Sequence, residues 1–194
     1  MAEQIRQLPI PGVCILDPKP RRDIRGHLDE WYRGDLGKGG LRLPFVAQAN
    51  CTVSNYGVLR GLAVTVSPLG HAKVVTCVQG AVLDVTVDLR PGSPTFGQWH
   101  SELLTEDNRL ALRVTHGIGH AYLSLAPRSV VIYLLSHSRR VVREQRVQAL
   151  DSALALPWPD GMSLVQSDRD RTAPAARVAL ATGLLAAPVH GHTP

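Results

Sequence analysis

Apolar and β-branched residues gather in short runs along this chain, at 44–54, 58–66, 73–78, 81–89, 110–115, 121–125 and 130–135. Turn-forming residues punctuate them: Asn55-Tyr56-Gly57, Pro68-Leu69-Gly70, Gln79-Gly80, Pro91-Gly92-Ser93-Pro94 and His116-Gly117-Ile118-Gly119. Many short strands at this spacing predict a β-sandwich or barrel. Asp84-Val85-Thr86-Val87-Asp88 alternates polar with apolar, the pattern of a strand with one wet face. In a small barrel such a polar face lines an interior pocket, which accounts for acids on a strand this apolar. Helical pattern is confined mainly to the end. Residues 175–187 are rich in alanine and leucine, with Pro174 ahead and Pro188 behind, and predict a short C-terminal helix weakened by Gly183. The tail 189–194 is expected to fray.

No repeat, low-complexity tract or linker interrupts the 194 residues, so one domain, 1–194, is expected. A chain of this length buries about two thirds of the surface its unfolded form would expose. No apolar run approaches the roughly 20 residues of a membrane span, and the N-terminus shows no apolar signal core. Cys14, Cys51 and Cys77 are odd in number and lack CxxC spacing, which argues against disulfides and thiolate zinc sites and for a reducing cytoplasm. The net charge of +5 is spread along the chain. Its densest stretch, Arg139, Arg140, Arg143 and Arg146, is broken by Glu144 and reads as solvated surface rather than a nucleic-acid patch. A basic balance also suits a site for a small phosphorylated ligand.

An ordered set of motifs covers residues 23–170. Asp23-Ile24-Arg25-Gly26 comes first, with Glu30 shortly after, then Gln48-Ala49-Asn50 and Gly57-Val58-Leu59-Arg60-Gly61-Leu62, with Lys73 following. Further on come Gly80-Ala81-Val82-Leu83-Asp84-Val85, the stretch 88–97, Gly117-Ile118-Gly119-His120-Ala121-Tyr122, Tyr133, Trp158-Pro159 and Ser167-Asp168-Arg169-Asp170. Each is weak alone. Together, in this order, they resemble the dTDP-4-dehydrorhamnose 3,5-epimerase family, whose signature reads GVLRGLH. The resemblance implies an all-β, cupin-like double-stranded β-helix (jelly roll), a homodimer, a site inside the barrel and no metal or organic cofactor. Its substrate class would be a dTDP-4-keto-6-deoxyhexose. Trp31-Tyr32, Ala47-Gln48-Ala49-Asn50 and the stretch 92–97 resemble the epimerases of antibiotic deoxysugar pathways, which can invert one carbon or two.

The chemistry explains the residue types. A 4-keto group acidifies the protons on C3 and C5, and inversion needs a base on one face, stabilisation of the enolate and an acid on the other face. By the resemblance, Tyr133 is the acid, Lys73 stabilises the enolate oxygen and Asp170 orients the histidine base. Arg25, Glu30, Gln48, Asn50, Arg60, His120, Glu144 and Arg169 would bind the nucleotide sugar, the arginines suiting pyrophosphate through their planar fork. Taken singly, Tyr133 reads as a core aromatic, Lys73 as a surface cation and Asp170 as a turn residue.

The signature departs from the family at one letter. Ala63 stands where the histidine base belongs, and losing a general base typically slows a reaction about 100- to 10,000-fold. Val64, Thr65, His116 and Arg139 also differ from the usual residues. Three accounts of Ala63 stay open: a base deliberately removed, a relative in which His116 or His120 moves the proton, or a non-catalytic or repurposed paralogue that binds a sugar nucleotide or another small molecule. Other classes find little support. A metal cupin needs an H-x-H pair with further ligands, and none stands near 63 to 65; His190-Gly191-His192 lies in the tail. Neither a G-x-S-x-G elbow nor a strand-to-helix G-x-G-x-x-G is present.

Overall fold

All seven runs expected as strands are strands in the computed structural model, which describes residues 4–34, 43–67 and 70–186. The N-terminal strands are β1 (Gln4–Gln7), β2 (Val13–Asp17), β3 (Arg21–Asp23) and β4 (Gly26–Leu28). Next come β5 (Gln48–Ser54), β6 (Leu59–Ser67), β7 (Ala72–Gln79), β8 (Ala81–Asp88) and β9 (Trp99–Thr105). The last strands are β10 (Ala111–Thr115), β11 (Ile118–Ser124), β12 (Ser129–Leu135) and β13 (Arg143–Arg146), followed by α1 (Asp168–Arg171) and α2 (Ala176–Ala181). The strands form two antiparallel sheets, ordered β1-β2-β10-β7-β12-β5 and β13-β6-β11-β8-β9, plus the isolated hairpin β3-β4. This is the all-β, cupin-like jelly roll expected from the sequence.

The alternation at 84–88 has a different meaning from a half-wet strand. Asp84, Val85, Thr86, Val87 and Asp88 are all buried. Val85 and Val87 pack with Leu59, Leu62, Val64, Ala121 and Leu123 on the face that receives Val147, Ala149, Ala176, Ala179 and Leu185 from the C-terminal segments. The opposite face turns towards the other sheet. Asp88, at the strand end, instead ties down the following turn: its carboxylate accepts from Arg90 Nε at 2.9 Å and Ser93 Oγ at 2.6 Å, and also from Thr95 Oγ1.

Several boundaries differ from expectation for local reasons. The first run begins as a strand only at Gln48. Ile118 and Gly119, expected in a turn, belong to β11. A Cβ on Gly119 would lie 2.8 Å from Leu89 Cδ1, so close packing explains that glycine, whereas Gly117, at φ +76°, makes the turn. The C-terminal helix is shorter than 175–187. It stops at Ala181 because Gly183 adopts φ +72° and closes a Schellman cap, with Leu184 N–H bonded to Ala179 O at 3.0 Å and Gly183 N–H to Leu180 O at 3.1 Å. Residues 68 and 69 of one expected turn and the tail at 189–194 lie outside the described residues.

Gly61 sits at an irregularity of β6 that lets Arg60 and Ala63 face the same side. At φ +110° an added Cβ would stand 2.5 Å from the His120 carbonyl oxygen and 2.8 Å from Ala121 Cα. Gly61→Ala is therefore expected to destabilise the fold by about 3 kcal/mol or more, read as a lowered midpoint in denaturant unfolding.

Candidate active site

Strand alternation decides which side chains meet. Arg60 and Ala63 of β6, His120 and Tyr122 of β11, Glu144 and Arg146 of β13, Lys73 of β7, Tyr133 and Leu135 of β12, and Asn50 and Thr52 of β5 line a cavity of about 510 Å³. Ser167, Arg169 and Asp170, at the start of α1, complete the lining. An adjoining cavity of about 420 Å³ shares Lys73, Leu135, Arg139, Glu144 and Arg169 with it, so the two make one elongated site. The first cavity is lined by five cations, Arg60, Lys73, Arg139, Arg146 and Arg169, against two acids, Glu144 and Asp170. That balance favours an anionic ligand.

Lys73 is 9% exposed, and burial draws its ammonium down to about 8, opposed by the carboxylates of Glu144 and Asp84. Burial, with Tyr122 and Asp84 nearby, pushes the Tyr133 phenol well above its ordinary value, so it keeps its proton. His120 is buried against Asp84, with Nε2 2.7 Å from Oδ2. A carboxylate oxygen accepts, so Nε2 carries the proton and Nδ1 the lone pair. Burial lowers the His120 pKa despite the favourable Asp84 charge, which keeps the ring neutral near pH 7. Its ring meets Tyr133 edge-on, 6.3 Å between centroids.

Ala63 is flanked by His120 on β11 and by Arg146 on β13. Asp170 is held at the helix start, where Ser167 Oγ donates to its Oδ2 at 2.9 Å. Its other oxygen, Oδ1, lies 2.9 Å from Arg146 Nε, a charge pairing in which the N–H is not aligned as a hydrogen bond. Glu144 Oε1 takes Arg146 Nη1 at 2.7 Å and Arg139 Nη2 at 3.0 Å. Burial alone would raise the Glu144 carboxyl, but Arg146, Lys73 and Arg139 together hold it below its ordinary value.

Of the expected binding residues, Asn50, Arg60, His120, Glu144 and Arg169 line the cavity. Gln48 stands behind them, its Nε2 donating to Asn50 Oδ1 at 2.7 Å and its Oε1 accepting from Arg139 N–H at 2.8 Å. Arg60 is braced by Ser54 Oγ at 3.0 Å and the Val53 carbonyl at 3.2 Å. Arg25 and Glu30 are elsewhere in this chain. Arg25 is exposed at the tip of the β3-β4 hairpin, paired with Asp23 at 2.5 Å, and Glu30 lies 3.9 Å from Arg33. His116, a candidate proton carrier, is a turn residue outside the cavity lining, with Nδ1 accepting from Gly70 N–H at 3.2 Å. Among the described residues, no group of three or more His, Cys, Asp or Glu is arranged to hold a metal ion.

Asp84, Thr52, Tyr122 and Arg146 were not singled out from the sequence as site residues. Period-two spacing carries the signal for three of them: Thr52 follows Asn50, Tyr122 follows His120 and Arg146 follows Glu144 on the same faces. The stretch expected as solvated basic surface is corrected in this respect, because pairing of β13 with β6 turns Glu144 and Arg146 inward.

The sequence profile of dTDP-4-dehydrorhamnose 3,5-epimerases matches residues 7–177. The chain belongs to that family. It is 44% identical over 184 residues to the dTDP-4-dehydrorhamnose 3,5-epimerase of Mycobacterium tuberculosis, covering 93% of this chain and 91% of the relative. NovW, a 4-keto-6-deoxy sugar epimerase from the novobiocin biosynthetic gene cluster of Streptomyces spheroides, superposes with a TM-score of 0.89 at 39% identity, covering 97% and 94% of the two chains. ChmJ, a 3'-monoepimerase from Streptomyces bikiniensis solved with dTDP-quinovose, gives a TM-score of 0.85 at 40% identity, covering 92% and 91%. The family is therefore one of dTDP-sugar epimerases, and it includes antibiotic-cluster members and enzymes named for one carbon or two.

Asp84 is the member of this site whose loss is easiest to read. Asp84→Ala leaves His120 Nε2 buried without its acceptor, and is expected to cost about 2–3 kcal/mol in denaturant unfolding.

Proposed function

We propose that this chain binds a dTDP-4-keto-6-deoxyhexose in the cation-lined cavity and, as it stands, epimerises it slowly or not at all. The observation that carries the reading is Ala63, set in the cavity wall between His120 and Arg146, with Tyr133 and Lys73 lining the same cavity. The family's reaction breaks a C–H bond next to the ketone, moves the electron pair to the ketone oxygen as an enolate, and reprotonates the carbon from the opposite face. Tyr133 is the acid, supported by a phenol that stays protonated. Lys73 stabilises the enolate oxygen. Asp170 is the carboxylate that would orient an imidazole. Arg60 and Arg169 hold the diphosphate, with Asn50, Gln48, His120 and Glu144 as further ligand contacts. No side chain at 63 accepts a proton, and His120 packs edge-on against Tyr133.

The same alanine favours a second reading, in which the chain is a non-catalytic binding paralogue of the epimerases. We read the chain as one domain, 1–194, and its working unit as a cytoplasmic homodimer. The free thiols of Cys14, Cys51 and Cys77 support the compartment. The exposed Cys51 and Val53 on edge strand β5 suit coverage by a second copy. Arg25 and Glu30, if they reach a ligand, do so from outside their own chain's cavity.

Deuterium uptake at C3 and C5 of dTDP-4-keto-6-deoxyglucose in heavy water tests the catalytic claim. This chain is expected to exchange negligibly and Ala63→His measurably, the labelled carbons naming the regiochemistry. Exchange by this chain at the rate of the histidine variant would refute the assignment, and binding without exchange in either form favours the paralogue. Calorimetry with dTDP tests the pocket: Arg60→Ala and Arg169→Ala are each expected to weaken binding by about tenfold or more.

The exchange of Ala63→His should also report Lys73. Enolate stabilisation needs the ammonium form, which is lost as pH rises through about 8. Exchange is therefore expected to fall above that pH, and a profile flat to pH 10 would remove Lys73 from the role.

A further inference from the structure

The charges around position 63 form a connected set. Arg146 on β13 faces Ala63 directly across the strand pair, its side chain is 17% exposed, and it bridges Glu144 at 2.7 Å to Asp170 at 2.9 Å. Facing residues on neighbouring antiparallel strands hold their Cβ atoms about 4.5–5.5 Å apart. A side chain longer than alanine at 63 would therefore enter the space next to this guanidinium. Asp170 is a carboxylate in want of a cation, 7% exposed and fixed through its other oxygen by Ser167. A buried carboxylate left without a compensating charge is costly. The guanidinium supplies that charge, and it does not give up a proton in a protein.

We propose that Ala63 and Arg146 act as one coupled unit, in which Arg146 takes an imidazole's place as charge partner of Asp170. The proposal rests on the reading of Asp170 given above. It extends that reading in a specific way: the missing base is not an isolated deletion in an otherwise ready site. The carboxylate that would orient an imidazole is already engaged, and a permanent cation stands where an imidazolium would form. The cavity is thereby converted from proton transfer to ligand retention, with an additional fixed donor group facing the bound sugar.

The consequence is that restoring histidine alone gives a poor base. An imidazole introduced at 63 would face Arg146 and Glu144 from β13, His120 from β11, Asp170 and Arg169 from α1 and Lys73 from β7. The nearest cation disfavours its protonated form, and Asp170, already neutralised, contributes little in return. Removing the guanidinium frees the carboxylate for the imidazole.

Ala63→His and Ala63→His/Arg146→Ala are to be compared by NMR titration of the introduced imidazole, without ligand. Its midpoint is expected to rise by at least about one pH unit in the double variant, the size of effect a released carboxylate neighbour exerts. A midpoint that is unchanged or lower overturns the coupling. Deuterium uptake into dTDP-4-keto-6-deoxyglucose gives the second readout, expected to be about tenfold faster or more in the double variant. Equal or slower uptake, with Ala63→His already active, overturns the proposal. Should Arg146→Ala impair folding, Arg146→Gln keeps the length and removes the charge, and the same two readouts apply. If the midpoint rises as expected but neither histidine form exchanges deuterium, the coupling stands and the epimerase reading falls.

Discussion

The strands β6, β11 and β8 are buried on both faces, and each must satisfy two different environments with alternate side chains. One face meets the C-terminal segments and is apolar throughout, from Leu59 to Leu185. The other meets the opposite sheet and is where polar groups enter the interior. Buried polar groups persist only with partners, so this inner face is organised as pairs: His120 with Asp84, Tyr122 with Thr52 and Ser54, Arg146 with Glu144 and Asp170. The cavity is the part of that face left for a ligand to complete.

Charge compensation then sets the chemistry available. Lys73 tolerates burial because Glu144 and Asp84 are near, yet its proton is loosened. Glu144 stays ionised because three cations outweigh its burial. The cavity keeps a surplus of positive charge facing inward, which only an anionic ligand relieves. A nucleoside-diphosphate sugar meets that requirement, and the family's named substrates are of that kind. The cations that line the cavity are thus separate from position 63, where no side chain accepts a proton.

Much of this was legible in the chain. The seven apolar runs are strands because β-branched runs bounded by turns have few other solutions. The motif order located cavity residues from Asn50 to Asp170. The strands β1 to β4, β9 and β13 were not visible: β1, β3 and β13 are short and polar, as in Arg-Glu-Gln-Arg at 143–146, and β2 is an apolar run of only five residues. β1, β9 and β13 are strands because the sheets offer them unpaired backbone edges, whereas β3 and β4 pair only with each other. The alternation indicated an interior position for the acids of this strand, but not the partner of Asp84, because His120 meets it only when β11 pairs with β8.

The sequence by itself determined the family, the all-β architecture and the absence of an imidazole at position 63. These depend on local pattern and motif order. Only the tertiary structure decided that β13 lies against β6 and delivers Arg146 to the carboxylate of Asp170. It also decided that Arg25 and Glu30 stand apart from their own chain's cavity. Which charges compensate one another is a property of distance in space. Residues 63, 146 and 170 become neighbours only when the strands pair and α1 closes against them.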